Sequence, residues 1–388
     1  MRQYAIFADD LTGAADTAAM FALRGWNSAV YLGEIEDTKH AGNAVTSYSL
    51  ATRDISQHEV SHRWRDLPAN LLQDRSPYLK VDSTLRGNVG VSIQCYAEKV
   101  NADVVLLCPA FPQQGRTVHD GKLFVNGDEV CSIPALLAAQ GCYTTVAVAN
   151  PVECLRFLKG RGLQGNARHP LVLVAAASTD EDLHAWAQLA ATETPVLAPA
   201  GSAGLAGALA NLLDCNSSDG HRFVKAAHSG RVLTIIGSNT PLAKRQCARL
   251  ATRMDVRVVR RLPIRAEDWL ADDQKSKPHL LWTTHANDDV DKIALPTAAS
   301  LDLPGEFTTL IISGGDTAER LLSTGGCRRI SIYKQLEPGV PLGEMHLARS
   351  WQLVLKSGSF GDEGTLSRLV DCLVSEGSSV YSPEANSE

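Results

Sequence analysis

The feature that most constrains this chain is a repeated alternation of short apolar runs, each closed by turn residues, with helical stretches. Tyr4–Ala8 reads as a buried strand, Ala14–Arg24 as an alanine-rich helix stopped by Gly25, and Ala29–Leu32 as the next strand. Strand signals recur at Tyr78–Val81, Val104–Leu107, Thr145–Val148, Leu171–Ala175 and Val196–Ala198, most of them followed by a helical stretch. Strands joined by helical crossovers pair in parallel. The alternation therefore predicts an α/β fold with a mostly parallel sheet flanked by helices.

The pattern breaks once and restarts. Asp214–Arg231 is polar and turn-rich, with Cys215-Asn216-Ser217-Ser218-Asp219-Gly220 near its start. Beyond it lie strand signals at Val232–Ile236, Leu280–Thr283, Leu310–Ile312 and Gln352–Leu355. A helix is expected over Pro241–Met254, with proline in its first turn, and a last one over Gly361–Val374. A chain of 388 residues is long for one core, so two such α/β domains are expected. Their bounds are 1–215 for the N-terminal domain, 216–230 for a linker and 231–376 for the C-terminal domain, with a frayed tail over 377–388.

Composition removes several classes of partner. A formal net charge of −6 gives no basic footprint for nucleic acid. The one basic cluster, Arg257, Arg260, Arg261 and Arg265, alternates with apolar residues as the exposed side of a strand does. No stretch reaches the ~18 consecutive apolar residues of a membrane helix, so no membrane partner is expected. Nine scattered cysteines without C-x-x-C spacing suit a reducing cytoplasmic setting better than a zinc site or disulfide framework. A homo-oligomer is compatible with all of this.

Ligands of an open parallel sheet gather beyond the carboxyl ends of its strands, so the polar residues there are the candidates for chemistry. Ala8-Asp9-Asp10-Leu11-Thr12-Gly13 places two acids at one strand tip, with Asp16 a helical turn further on. Such acids can take a proton from a hydroxyl, or simply cap the helix. Lys80-Val81-Asp82-Ser83-Thr84-Leu85-Arg86-Gly87 sets cations, an acid and hydroxyls at another tip, which suits a small polyhydroxy acid or a structural ion pair between Asp82 and Arg86. Cys108–Thr117 is a proline-stiffened loop that offers Arg116, with His119 just beyond it.

Three further turns lie in the C-terminal half: Gly237-Ser238-Asn239-Thr240, Gly314-Gly315-Asp316-Thr317 and Lys356-Ser357-Gly358-Ser359-Phe360-Gly361. Each sets small residues or hydroxyls before an expected helix, where free amides attract phosphate. Three such turns in one domain favour an anionic ligand such as a nucleotide. No G-x-x-x-x-G-K-[ST] is present, and Gly201–Gly207 does not match G-x-G-x-x-G.

Taken in order, these segments resemble the four-carbon acid sugar kinase family, whose members phosphorylate compounds such as threonate, erythronate and 3-oxo-tetronate with ATP. The A-D-D-x-T-G, K-x-D-S-T-L-R-G and C-P-A-F-P-x-x-G-R segments look like its N-terminal domain. The G-S turn, S-G-G-[DE]-T and L-K-S-G-S-F-G look like its C-terminal one. After Gly127 the chain departs from the family, lacking a proline-rich segment usual there.

The resemblance implies an acid-sugar site in the N-terminal domain, with Lys80, Asp82, Ser83, Arg86 and Arg116 as ligands. It also implies an ATP site with Ser238, Gly314, Gly315, Asp316, Thr317 and Gly358. Phosphoryl transfer calls for a base, here Asp10 with Asp9 next, and for Mg²⁺ with no protein ligand yet assigned. Two lobes closing on each other would exclude water. A dinucleotide oxidoreductase and a non-catalytic sugar-acid sensor are the competing functions.

Overall fold

The computed structural model describes residues 3–33, 35, 44–142, 144–160, 166–193, 197–213, 231–259, 279–283, 307–347 and 350–375. The proposed linker, most of the basic cluster, Cys215 and the tail lie outside these residues. The chain divides into two units, Met1–His221 with Arg328–Pro341, and Arg222–Cys327 with Leu342–Glu388.

In the first unit the chain runs through β1 (Gln3–Ala8), α1 (Leu11–Ala22), β2 (Ser28–Tyr31), β3 (Val45–Ser49), α2 (Gln57–Asp66) and β4 (Arg75–Lys80). It continues through α3 (Val89–Val100), β5 (Val104–Cys108), β6 (Arg116–His119), β7 (Lys122–Val125), β8 (Asp128–Ser132) and α4 (Ile133–Ala139). The unit's N-terminal part ends with β9 (Thr145–Val148), α5 (Pro151–Gly160), β10 (Leu171–Ala175), α6 (Asp180–Glu193), β11 (Leu197–Gly201) and α7 (Ala203–Asn211). The second unit holds β12 (Arg231–Ile236), α8 (Pro241–Ala251), β13 (Val256–Val259), β14 (His279–Thr283), β15 (Phe307–Ser313) and α9 (Gly315–Thr324). The last elements are β16 (Arg329–Glu337), which belongs to the first unit, then β17 (Val340–His346), β18 (Ser350–Lys356) and α10 (Thr365–Ser375).

The first-unit sheet runs β16-β2-β3-β1-β4-β11-β5-β10-β9, parallel except where β16 pairs antiparallel with β2. A separate antiparallel sheet, β6-β7-β8, lies outside it. From β1 the chain builds first to the β3 side and then to the β4 side. The carboxyl ends of β3, β1 and β4 thus flank a topological switch point, where such sheets bind ligands. Apolar strands such as Val104–Leu107 and Val172–Ala175 are fully buried because helices cover both faces. Helix α1 is buried on nearly every side: its alanines let it lie close against β2, β3, β16 and α7.

The second-unit sheet runs β13-β14-β12-β15-β18-β17, parallel apart from the β17–β18 pair. Several boundaries differ from those expected. Helix α1 starts at Leu11 because Asp10 caps it there. The last helix begins at Thr365, not Gly361, because Gly361 turns at φ +82° and Thr365 Oγ1 then accepts the Asp362 amide. Strands β3, β6, β8, β16 and β17 carry no apolar run, β7 has only the short Leu123–Val125, and none of these strands was expected.

Candidate active site

In the first unit, Asp9 and Asp10 leave the tip of β1, and Asp10 caps α1: its Oδ1 accepts the Gly13 amide at 2.7 Å and its Oδ2 the Thr12 hydroxyl at 2.7 Å. Arg53, on the loop after β3, joins the acids. Its Nε and Nη2 donate to the two oxygens of Asp9 at 2.8 and 3.0 Å, and its Nη1 donates to Asp10 Oδ2 at 2.6 Å. Nη2 also lies 3.4 Å from Asp82 Oδ1, beyond the tip of β4. Arg86 grips the same Asp82 with Nε at 3.0 Å and Nη2 at 2.7 Å. One part-buried guanidinium therefore ties together three carboxylates from two strand ends.

The local backbone is built to hold this arrangement. The Asp82–Gly87 turn takes Leu85 through a left-handed conformation, φ +58°. At Gly87, φ is +81° and a Cβ would lie 2.9 Å from the Arg53 carbonyl, so only glycine lets this turn press against the Arg53 loop. Asn88 Nδ2 donates to the carbonyls of Thr52 at 3.0 Å and Ile55 at 2.8 Å, which fixes the same loop from the other side. Ser83 is buried in this turn.

Burial and charge set the acids apart. For Asp82, burial pushes the pKa up, but the hydrogen bonds from Arg86 and the charges of Arg53 and Arg86 outweigh it and hold the carboxyl well below its usual range. Asp9 is raised, because burial exceeds the opposing effect of Arg53 and the Asp10 charge adds to it. Asp16 is pushed up to about 7 by burial, against the charge of Lys80, and its Oδ1 accepts Gln335 Nε2 at 3.0 Å.

The Lys80 ammonium is buried over the first turn of α1, where a Cβ on Gly13 would lie 2.9 Å from its Nζ. Arg116 is buried, donates to the Gln114 carbonyl, and feels the charges of Asp82 and Arg86. The structure thus gathers Asp9, Asp10, Lys80, Asp82 and Arg86 around Arg53, with Ser83 and Arg116 beside them. Sequence reading missed Arg53, whose only signal is an arginine shortly after an unrecognised Ser/Thr-rich strand.

In the second unit, the tips of β12, β15 and β18 are sheet neighbours, so their three turns meet. The amides of Gly237 and Ser238 donate to the Ser313 carbonyl at 3.0 and 3.2 Å, and the Gly314 amide donates to Lys356 O at 3.0 Å. Thr240 caps α8 and donates its hydroxyl to Gly358 O at 2.7 Å. A Cβ on Gly358 would stand 1.8 Å from Ser238 Oγ, and one on Gly237 the same distance from Thr317 Oγ1, so side-chain hydroxyls fill the space those glycines leave.

Gly314 occupies the N-cap position of α9 without a side chain to satisfy that helix's first amides. Gly315, Asp316 and Thr317 form the first turn, which is a setting for an anion. Lys356, fully buried at the tip of β18, points its Nζ at Ser357 O, 2.8 Å away. Its register partner Ser313 has a buried hydroxyl with no hydrogen-bond partner among the described residues. Among the described residues, no group of three or more His, Cys, Asp or Glu is placed to hold a metal, and no helix is long and apolar enough to cross a membrane.

Known proteins match the two stretches of chain that carry these residues. Residues 4–135 match a family model described as a sugar-binding N-terminal domain, and residues 233–366 one described as a nucleotide-binding C-terminal domain. A D-threonate kinase of Cupriavidus necator is 31% identical over 93% of this chain and 95% of its own. A 3-oxo-tetronate kinase of Pseudomonas savastanoi is 26% identical over 91% and 93%. A Salmonella typhimurium crystal structure described as a tRNA synthase covers 95% of this chain and 99% of its own at a TM-score of 0.74. Its 22% identity makes that a likeness of fold alone. Full-length similarity to the Cupriavidus enzyme, with both domain models matched in order, places the chain in the family of four-carbon acid sugar kinases.

Proposed function

We propose that the chain transfers the γ-phosphoryl group of ATP to a hydroxyl of a four-carbon acid of the threonate or 3-oxo-tetronate type. The observation that carries this reading is the cluster of carboxylates and cations around Arg53, at the switch point of the domain that matches the sugar-binding model. A polyhydroxy acid needs acceptors for its hydroxyls and cations for its carboxylate. Lys80, Arg86 and Arg116 supply the cations. Arg86 spends Nε and Nη2 on Asp82 but is half-exposed, so it can meet the substrate without unfolding the site.

In the transfer, the substrate oxygen forms a bond to the γ-phosphorus as the bond to the ADP oxygen breaks, and the hydroxyl proton passes to a carboxylate. Asp10 is the proposed acceptor, since among the described residues Oδ1 carries only the Gly13 amide and keeps a lone pair. Asp9 is the second candidate, favoured by its raised pKa but bound by Arg53 through both oxygens. Asp82, held ionised by two arginines, is the poorest base of the three.

ATP would lie on Ser238, Gly314 to Thr317 and Gly358, its phosphates against the first amides of α9. Magnesium is mostly held by phosphate and water oxygens, so it needs few protein ligands, and Asp316 is the carboxylate this cradle can offer. Bound there, the ion would neutralise phosphate charge.

The test is ADP release from ATP over a panel of four-carbon acids, with NADH binding measured alongside. Turnover of one acid is expected. NADH binding with no ATP turnover would replace this reading with the oxidoreductase one, and acid binding without turnover would replace it with a sensor.

A further inference from the structure

Helix α8 buries Ala243, Gln246 and Leu250, spaced three and four apart on one face. Gln246 is fully buried, an amide where an apolar side chain would carry no polar group out of water. Its Nε2 donates to two carbonyls of the turn that follows β18, Asp362 O at 2.7 Å and Phe360 O at 3.2 Å. Its Oε1 has no hydrogen-bond partner among the described residues, so what the amide contributes lies in those two N–H bonds. The two carbonyls stand on either side of Gly361, which turns at φ +82°. One planar amide therefore grips both flanks of that turn. At its N-cap the same helix holds the start of the turn, through Thr240 Oγ1 on Gly358 O at 2.7 Å. Gly358 packs so closely on the neighbouring turn that a Cβ there would stand 1.8 Å from Ser238 Oγ, so a shift of one turn disturbs the other.

We propose that Gln246 is a positioning residue for the nucleotide: from the interior of the domain, without touching ATP, it holds the 358–362 turn in the shape that sets Gly358 against Ser238. The assignment rests on the reading above that places ATP on these turns. Without the two N–H bonds the turn is formed only part of the time, and the apparent affinity for ATP falls by that fraction. The acid substrate, bound by residues of the other unit, does not feel the change.

Gln246→Met keeps the length of the side chain and removes both donors. Gln246→Asn, which keeps the amide but draws it back by one methylene, gives the same reading should the methionine variant not fold. The Kd of ATP is measured by calorimetry without any acid present, and the KM values of ATP and D-threonate by ADP release. The Kd and KM of ATP are expected to rise roughly 5- to 30-fold, the loss of two hydrogen bonds, while the KM of D-threonate stays as in the wild type. A folded variant with a lower melting temperature and an unchanged ATP Kd gives Gln246 a role in stability alone and overturns the proposal. An equal rise in the KM of both substrates reports a general loss of structure and overturns it as well. A wild-type chain that binds ATP but phosphorylates no four-carbon acid sinks the kinase reading and leaves the calorimetric comparison to decide this one. If the wild type binds no ATP, both fall together.

Discussion

Asp16→Asn should make the protein more stable at pH 8 and leave it unchanged near pH 4. In the folded chain burial holds the Asp16 proton to about pH 7, against an ordinary value of 3.8. Between those values the folded state binds a proton that the unfolded state has lost, so stability falls as pH rises through this window. About three units of displacement correspond to a ceiling of roughly 4 kcal/mol. The amide carries no charge to desolvate, and its Oδ1 can still accept from Gln335. Urea midpoints of both proteins from pH 4 to pH 8.5 measure the difference, which should open progressively above pH 4 and flatten above about 7. A difference that is constant with pH, or that closes as pH rises, would show that Asp16 is ionised in the fold and refute the argument.

Three further outcomes follow from the same contacts. Arg53→Met removes the cation shared by Asp9, Asp10 and Asp82, and a broken buried pair of this kind costs about 3–5 kcal/mol, so its urea midpoint should drop steeply and recover partly at low pH as the acids protonate. Gly358→Ala would set a Cβ 2.5 Å from Ser238 Cβ and displace that side chain, so nucleotide affinity by calorimetry should fall while acid binding holds. Asp10→Asn should lower kcat by ~10²–10⁴-fold with both ligands still bound. A near-normal kcat would leave Asp10 as the cap of α1 and make Asp9 the base to test.

Apolar patterning exposed β1, β5 and β10 because each is buried on both faces and so reads as a continuous hydrophobic run. It was blind to β3, whose Val45-Thr46-Ser47-Tyr48-Ser49 is equally buried but carries hydroxyls, and with β3 it lost the loop that delivers Arg53. The return of Arg328–Pro341 to the first unit was hidden for a related reason: β16 is only partly buried along most of its length, its apolar residues interrupted by polar ones, and it shows no run to detect. Gln335 could not be paired with Asp16 without that return.

The same blindness shaped the reading of charge. Along the sequence, Arg86 looks available for a substrate carboxylate because its only near acid is Asp82. In the fold, Asp82 is drawn between Arg53 and Arg86, and each of those cations is already engaged with at least one carboxylate. A substrate carboxylate therefore does not meet a bare arginine but joins a balanced network, and its gain is the difference between two similar ion pairs. That difference is small unless Asp82 keeps Arg53 while Arg86 swings to the substrate, which the half-exposed Arg86 is free to do and Arg53, held by three carboxylates, is not. Of the two arginines, Arg86 is accordingly the one that can respond to the ligand, and Arg53 the one that keeps the acids in place while it does.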